Sequence, residues 1–162
     1  MGSNVDPETN LIRALALLGA RERVVALSRP FWTAPAAGAT GSAFLNAAAL
    51  IETDLDPGDL KHGVLRVIEA ALGRVRTADK NAPRPIDLDI ALWGDAAFED
   101  RAAGIVVPAP AILRWPHVAL PLADVAPEWV HPVDGRTLAA IAAGLGGSGG
   151  VERGCGNTQA ST

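Results

Sequence analysis

The stretch "RPIDLDIALWGD", residues 84–95, restricts the fold more than any other part of this chain. Apolar Ile86, Leu88, Ile90 and Leu92 alternate with Asp87, Asp89, Ala91 and Trp93. A period of two is that of a half-buried strand, one set facing a core and the other facing away. Carboxylates are poor strand formers. The pair Asp87 and Asp89 therefore needs either solvent or a cation on its face.

The elements around this strand follow from breakers and caps. Asp6-Pro7-Glu8 reads as an N-cap, a proline in the first turn and an acid beside it. Leu11, Leu15 and Leu18 continue at helical spacing to a stop at Gly19. Val24 to Leu27 is β-prone, the segment 29–42 reads as a loop, and Phe44 to Thr53 reads as a second strand. Asp56-Pro57 caps another helix, with Leu60, Val64, Val67, Ile68 and Ala71 as its apolar stripe and Gly73 as its end. A charged loop, Arg74 to Lys80, leads into the Asp-x-Asp strand. Beyond Asp95 the pattern is Pro-rich and irregular, with a strand near Val106 and a last helix from Thr137 to Leu145. Trp93, Trp115 and Trp129 are read as packing residues.

The order α-β-β-α-β is a ferredoxin-like β-α-β-β-α-β set lacking its first strand. The expected class is therefore an α+β, ferredoxin-like sandwich with an antiparallel sheet. Residues 1–145 form the expected domain and the glycine-rich 146–162 an expected disordered tail.

At 162 residues and 49 % hydrophobic, the chain supports one core. No apolar run approaches a membrane span, and no leader is read before the first helix, so a soluble, cytoplasmic monomer is expected. A net charge of −4 argues against binding nucleic acid by backbone neutralisation. The single cysteine, Cys155, allows neither a disulfide framework nor a Cys-based metal site.

Lys80-Asn81-Ala82-Pro83-Arg84-Pro85-Ile86-Asp87-Leu88-Asp89-Ile90 matches a signature of basic residue, spacer, small residue, Pro, Arg, two spacers and Asp-x-Asp. "GSN" at 2–4, "FLNAA" at 44–48, "ET" at 52–53, "IEAALGRVR" at 68–76 and "PLADVAPEWVHP" at 121–132 follow the same family's order. In these segments the chain resembles the 6-hydroxymethyl-7,8-dihydropterin pyrophosphokinases of folate biosynthesis. The resemblance implies transfer of a diphosphate from ATP to the pterin's hydroxymethyl oxygen, leaving AMP. It also implies a strand ahead of "GSN", so the first strand is expected to be truncated, with its missing residues encoded upstream of Met1.

Two carboxylates at i and i+2 lie roughly 7 Å apart on one strand face. That spacing suits a pair of Mg²⁺ ions about 3.5–4 Å apart that clamp phosphates. Asp87 and Asp89 are thus the candidate metal ligands, with Arg76 and Arg84 as phosphate partners and, by the resemblance, Glu69 near the nucleotide. Asn46 and Phe44 match the family's pterin contacts, Pro35 a family proline in the loop walling the pterin, and His117 the position of a second aromatic. Two family donors are replaced: Ala109 stands where the family has histidine, and Trp115 where it has arginine, with Arg114 adjacent.

Plainer readings stand beside these. Arg76 and Arg84 also suit surface ion pairs, Phe44 suits a core, and His117 suits a structural role. A family member that binds pterin or nucleotide without efficient turnover, and a ferredoxin-like interaction module, are the alternative functions.

Overall fold

In the computed structural model, residues 1–33, 42–75 and 83–146 are described, together with the backbone alone of 151–153. The chain begins with β1 (Gly2–Ser3), α1 (Pro7–Gly19), β2 (Arg23–Leu27), β3 (Phe31–Thr33), β4 (Phe44–Asn46) and β5 (Ala49–Glu52). Next come α2 (Pro57–Asp59), a π-helical segment (Leu60–Leu65) and α3 (Arg66–Ala71), which form one continuous helical rod. The hairpin β6 (Phe98–Asp100) and β7 (Ile105–Val107), a 3₁₀ turn (Pro110–Leu113), α4 (Pro116–Val125) and α5 (Leu138–Leu145) complete the main body. The backbone of β8 (Val151–Arg153), inside the segment expected to be a tail, pairs with β3.

Among the described residues all the strand pairing is antiparallel: a four-stranded sheet β1-β4-β3-β8, the pair β2-β5 and the hairpin β6-β7. The class is α+β, as the sequence predicts. One expected strand, Phe44 to Thr53, is two, because the chain changes partners at Ala47 and Ala48. Ala47 N–H donates to the Met1 carbonyl, whereas Ala48 N–H donates to Ser28 Oγ. The segment expected to be a loop contains β3, which lies on β4 with Trp32 opposite Leu45.

The Asp-x-Asp segment keeps its predicted alternation but not its ladder. Ile86 and Leu88 are buried, Asp87 is half-buried and Asp89 is exposed. Among the described residues its pairing is confined to one antiparallel bridge, in which Gly2 and Asp87 exchange N–H···O bonds of 2.9 and 2.8 Å. β1 offers only two residues to pair with on that side.

The helical rod departs from the predicted stripe. Its buried residues are Leu60, Lys61, Val64, Leu65, Ile68, Glu69 and Leu72, a pattern that repeats every four residues, while Val67 is 44 % exposed and Ala71 is exposed. A spacing of four drifts by about 40° per step around an α-helix. The π-helical segment absorbs this drift: Arg66 N–H reaches back five residues to the Lys61 carbonyl. Asp56 caps the rod as expected, accepting Asp59 N–H at 2.8 Å. Asp6, by contrast, takes a left-handed conformation at φ 41° and makes no side-chain cap.

The main core lies between α1, the rod and the sheet, with Ala14, Leu18, Leu45, Ile68, Ile86 and Leu88 at its centre. A second core joins α4 to α5 through Ile112, Ala119, Leu138 and Ile141. Two polar ties connect the parts. Buried Lys61 donates through Nζ to the Gly104 carbonyl at 2.6 Å and so pins the β6-β7 hairpin to the rod. Arg29 joins the β2-β3 connection to Asp124 on α4.

Candidate active site

The end of the rod sets the geometry of the charged cluster. Gly73 (φ 85°) turns the chain in a conformation that side chains disfavour. Gly73 N–H donates to the Ala70 carbonyl and Arg74 N–H to the Glu69 carbonyl, both at 3.0 Å. This paired capping fixes the path of Arg74. Its guanidinium turns toward the Asp-x-Asp segment, where one nitrogen donates to the Ile86 carbonyl at 2.8 Å and lies 3.0 Å from Oδ1 of Asp87.

Arg84 reaches the other oxygen of the same carboxylate, with Nη1 2.8 Å from Oδ2 of Asp87. Both arginines are largely buried, at 11 % and 23 % side-chain exposure. Burial pushes the Asp87 carboxyl up, but the hydrogen bond from Arg84 and the charges of Arg74 and Arg84 outweigh it and hold the carboxyl below the ordinary value. Asp89, two residues on, is exposed and has no hydrogen-bond or ion-pair partner among the described residues.

Glu69 lies beneath this segment rather than on its open side. It is 2 % exposed, and Oε1 accepts the Leu88 N–H at 2.8 Å, between the two aspartates. Its Oε2 stands 3.9 Å from Nε of Arg74, a charge contact rather than a hydrogen bond.

Of the candidate pterin residues, Phe44 and Asn46 flank the cluster. Phe44 is half-buried, with the Arg84 guanidinium 5.8 Å from its ring centre, within range of a cation–π contact. Asn46 is 8 % exposed, and its Nδ2 donates to Thr33 Oγ1 at 3.0 Å and to the Phe31 carbonyl at 3.4 Å. Gly2 lies directly under this pair: a Cβ on it would come 3.1 Å from Asn46 Oδ1 and 4.0 Å from Phe44. His117, in the first turn of α4, is half-buried and stacks on Trp115, with ring centres 6.0 Å apart. Burial lowers the tendency of its ring to protonate. Trp115 is 54 % exposed, not packed as the sequence suggests, and Arg114 beside it is exposed too.

Arg76 and Pro35 lie outside the described residues. The structure thus unites Asp87 with Arg84 and Glu69, places Phe44 and Asn46 alongside, and sets Asp89 at the open edge. Sequence reasoning gave no role to Arg74 or Asn4. For Arg74 the signal was its position directly after the helix-ending Gly73, which turns it back over the rod. Asn4 accepts the Arg84 N–H at 2.7 Å, a contact 80 residues apart that no local window reveals.

Among the described residues no three His, Cys, Asp or Glu side chains gather as a metal site. Two carboxylates fit Mg²⁺ nonetheless, because that ion commonly takes one or two protein carboxylates and fills its octahedron with water and phosphate oxygens. A cleft of about 550 Å³, between the start of α2 and β6, is lined by Asp56, Gly58, Trp93, Phe98 and Asp100. It shares no residue with the cluster, and the paired charges rather than that cleft mark the candidate site.

Fold and site together define an α+β protein with a braced carboxylate–arginine centre beside an aromatic–amide pair. The family model for 7,8-dihydro-6-hydroxymethylpterin-pyrophosphokinase (HPPK) matches residues 1–127. A 2-amino-4-hydroxy-6-hydroxymethyldihydropteridine pyrophosphokinase of Methylorubrum extorquens is 38 % identical over 94 % of this chain and 94 % of its own length. Proteins of the same name from Synechocystis and Porphyromonas gingivalis are 32 % and 35 % identical. They cover 85 % and 82 % of this chain, and 70 % and 90 % of their own lengths. The chain belongs to the HPPK family.

Proposed function

We propose that this chain transfers a diphosphate from ATP to the hydroxymethyl group of 6-hydroxymethyl-7,8-dihydropterin, releasing AMP. The hydroxymethyl oxygen gives up its proton to solvent and bonds to the β-phosphorus as the bond from that phosphorus to the α,β-bridging oxygen breaks, the oxygen leaving with AMP. The observation that carries the reading is the convergence of Arg74 and Arg84 on Asp87, next to Phe44 and Asn46, in a chain of this family.

Such a transfer depends on positioning and charge neutralisation rather than on a covalent intermediate. Arg74 and Arg84 supply forked cationic donors suited to phosphate oxygens. Phe44 and His117 would stack on the pterin, with Asn46 reading its edge and Pro35 in the loop that walls it. Arg76 would add a further phosphate contact.

Mg²⁺, as two ions, belongs to this reading. Asp87 and Asp89 would hold it, and the metal would neutralise and orient the triphosphate. The same reading makes the protein a monomeric cytoplasmic enzyme with residues 1–145 as its catalytic unit. Among the described residues no helix is long and apolar enough to cross a membrane.

The test is AMP release from ATP, with and without the dihydropterin and with and without Mg²⁺. Release that requires all three components is expected. Pterin binding without AMP release would replace this reading with that of a binding protein.

A further inference from the structure

Arg84 is flanked by Pro83 and Pro85, neither of which has an N–H. The Arg84 N–H is therefore the only backbone donor in that tripeptide, and Asn4 captures it with its side-chain oxygen at 2.7 Å. Asn4 N–H in turn donates to the Arg84 carbonyl at 3.2 Å. One residue thus grips both backbone polar groups of Arg84, at the point where the charged loop gives way to the Asp-x-Asp segment.

Asn4 is itself held in place. It is 8 % exposed. The next carbonyl, that of Val5, accepts from Ser3 Oγ at 3.1 Å and from buried Asn10 Nδ2 at 2.7 Å. On the other side, Gly2 exchanges two backbone bonds with Asp87. The short run Gly2–Asn4 therefore grips Arg84 and Asp87 separately, and their 2.8 Å ion pair closes between the two grips.

We propose that Asn4 is a positioning residue for the diphosphoryl transfer, acting through Arg84 by fixing the backbone from which its guanidinium reaches Asp87 and Phe44. This rests on the diphosphokinase reading. Among the described residues Asn4 makes no hydrogen bond to the Asp87 carboxylate; its effect on the reaction passes through Arg84.

A double-mutant cycle tests the route. Asn4→Leu, near in shape but with no acceptor, is expected to lower kcat/KM about tenfold in the wild-type background. In an Arg84→Ala background it is expected to change kcat/KM by less than about twofold, because two residues on one route are not additive. Asn4→Asp keeps an acceptor at the same position and is expected to restore most of the rate. Independently of turnover, amide exchange at Arg84 should quicken at least tenfold in Asn4→Leu, while the Leu88 amide, held by Glu69, stays protected.

Additive losses, an unaffected Asn4→Leu enzyme, or equal loss of protection at Arg84 and Leu88 would each overturn the proposal. If Asn4→Leu does not fold, Asn4→Ala takes its place in the cycle. If the wild type releases no AMP, the diphosphokinase reading fails, and the Arg84 exchange measurement alone decides whether Asn4 fixes this backbone.

Discussion

At Arg74 and from Arg84 to Asp89 the chain is held by ion pairs and hydrogen bonds. Arg74, Arg84, Glu69, Asn4 and Gly2 reach Asp87 or its neighbours from three separate elements. From Ala109 to His117 the chain is held by apolar packing and its own backbone. Ile112 is fully buried, Ala109 N–H donates to the Ala91 carbonyl at 2.8 Å, and Trp115 stacks on His117 in the open. The two segments are neighbours, since Ala91 follows Asp89 by two residues. The paired centre and the wall beside it therefore rest on separate supports. The braced part should tolerate change poorly and the packed part should accept new donors.

The largest expected effect falls on the braced part. Asp87→Ala leaves two guanidiniums without their shared partner and removes a candidate metal ligand, so AMP release should fall by at least about a hundredfold. The circular dichroism spectrum should keep its native shape. A variant with near-wild-type rates would move the site elsewhere.

Next comes the packed part. Each charge-assisted hydrogen bond contributes about 1.5–3 kcal/mol, so Ala109→His with Trp115→Arg should raise kcat/KM for ATP by at least about tenfold. Trp115 is more than half exposed, so an arginine there can extend into solvent, and Ala109 is only partly buried against the second core. No gain would mean that exposed Arg114 already serves the phosphates.

Phe44→Ala probes the border between the two. Loss of a stacking partner costs about 1–3 kcal/mol for nucleobases, and calorimetry should show pterin affinity reduced about tenfold. Unchanged affinity would assign Phe44 to Arg84 and the core alone.

The smallest effect is the pH response of stability. Asp87 has a lowered folded value, so its contribution is present above the ordinary carboxylate range and is lost as pH falls through the folded value. His117 also has a lowered folded value; the unfolded chain binds its proton first, so stability falls as pH drops through about 6.5. Thermal melts should accordingly show two acid-side losses. Asp87→Asn should flatten the lower one and His117→Phe the upper one.

Much of this was legible locally. The Asp56 cap, a last helix beginning at Thr137, the stop at Gly73 and the alternation of Ile86, Asp87, Leu88 and Asp89 all follow from short-range chemistry, and the structure keeps them. Helix α4 was hidden because Pro116 and Pro121 read as breakers. The first occupies the opening turn, where no N–H is missed, and the second is buried within the helix. Strand β3 was hidden by the prolines and glycines around it. The site's braces were least legible: Asn4 to Arg84 and Glu69 to Leu88 depend on which distant backbone groups lack partners, and that is decided only when the elements pack.

The wide turn at Leu60–Leu65 bears on how this chain is compared with its relatives. A π-turn fits one more residue into a helix without turning the flanks away from what they touch. Gly63 sits in that turn, exposed, with nothing within 4 Å of where a Cβ would be. A homologue one residue shorter here can run as an ordinary α-helix and still present a glutamate to the amide between its two aspartates. Alignments through this helix are structurally sound when they open a one-residue gap at Leu60–Leu65 for such a homologue; placed beyond Ile68, the same gap would pair Glu69 with a residue that faces solvent.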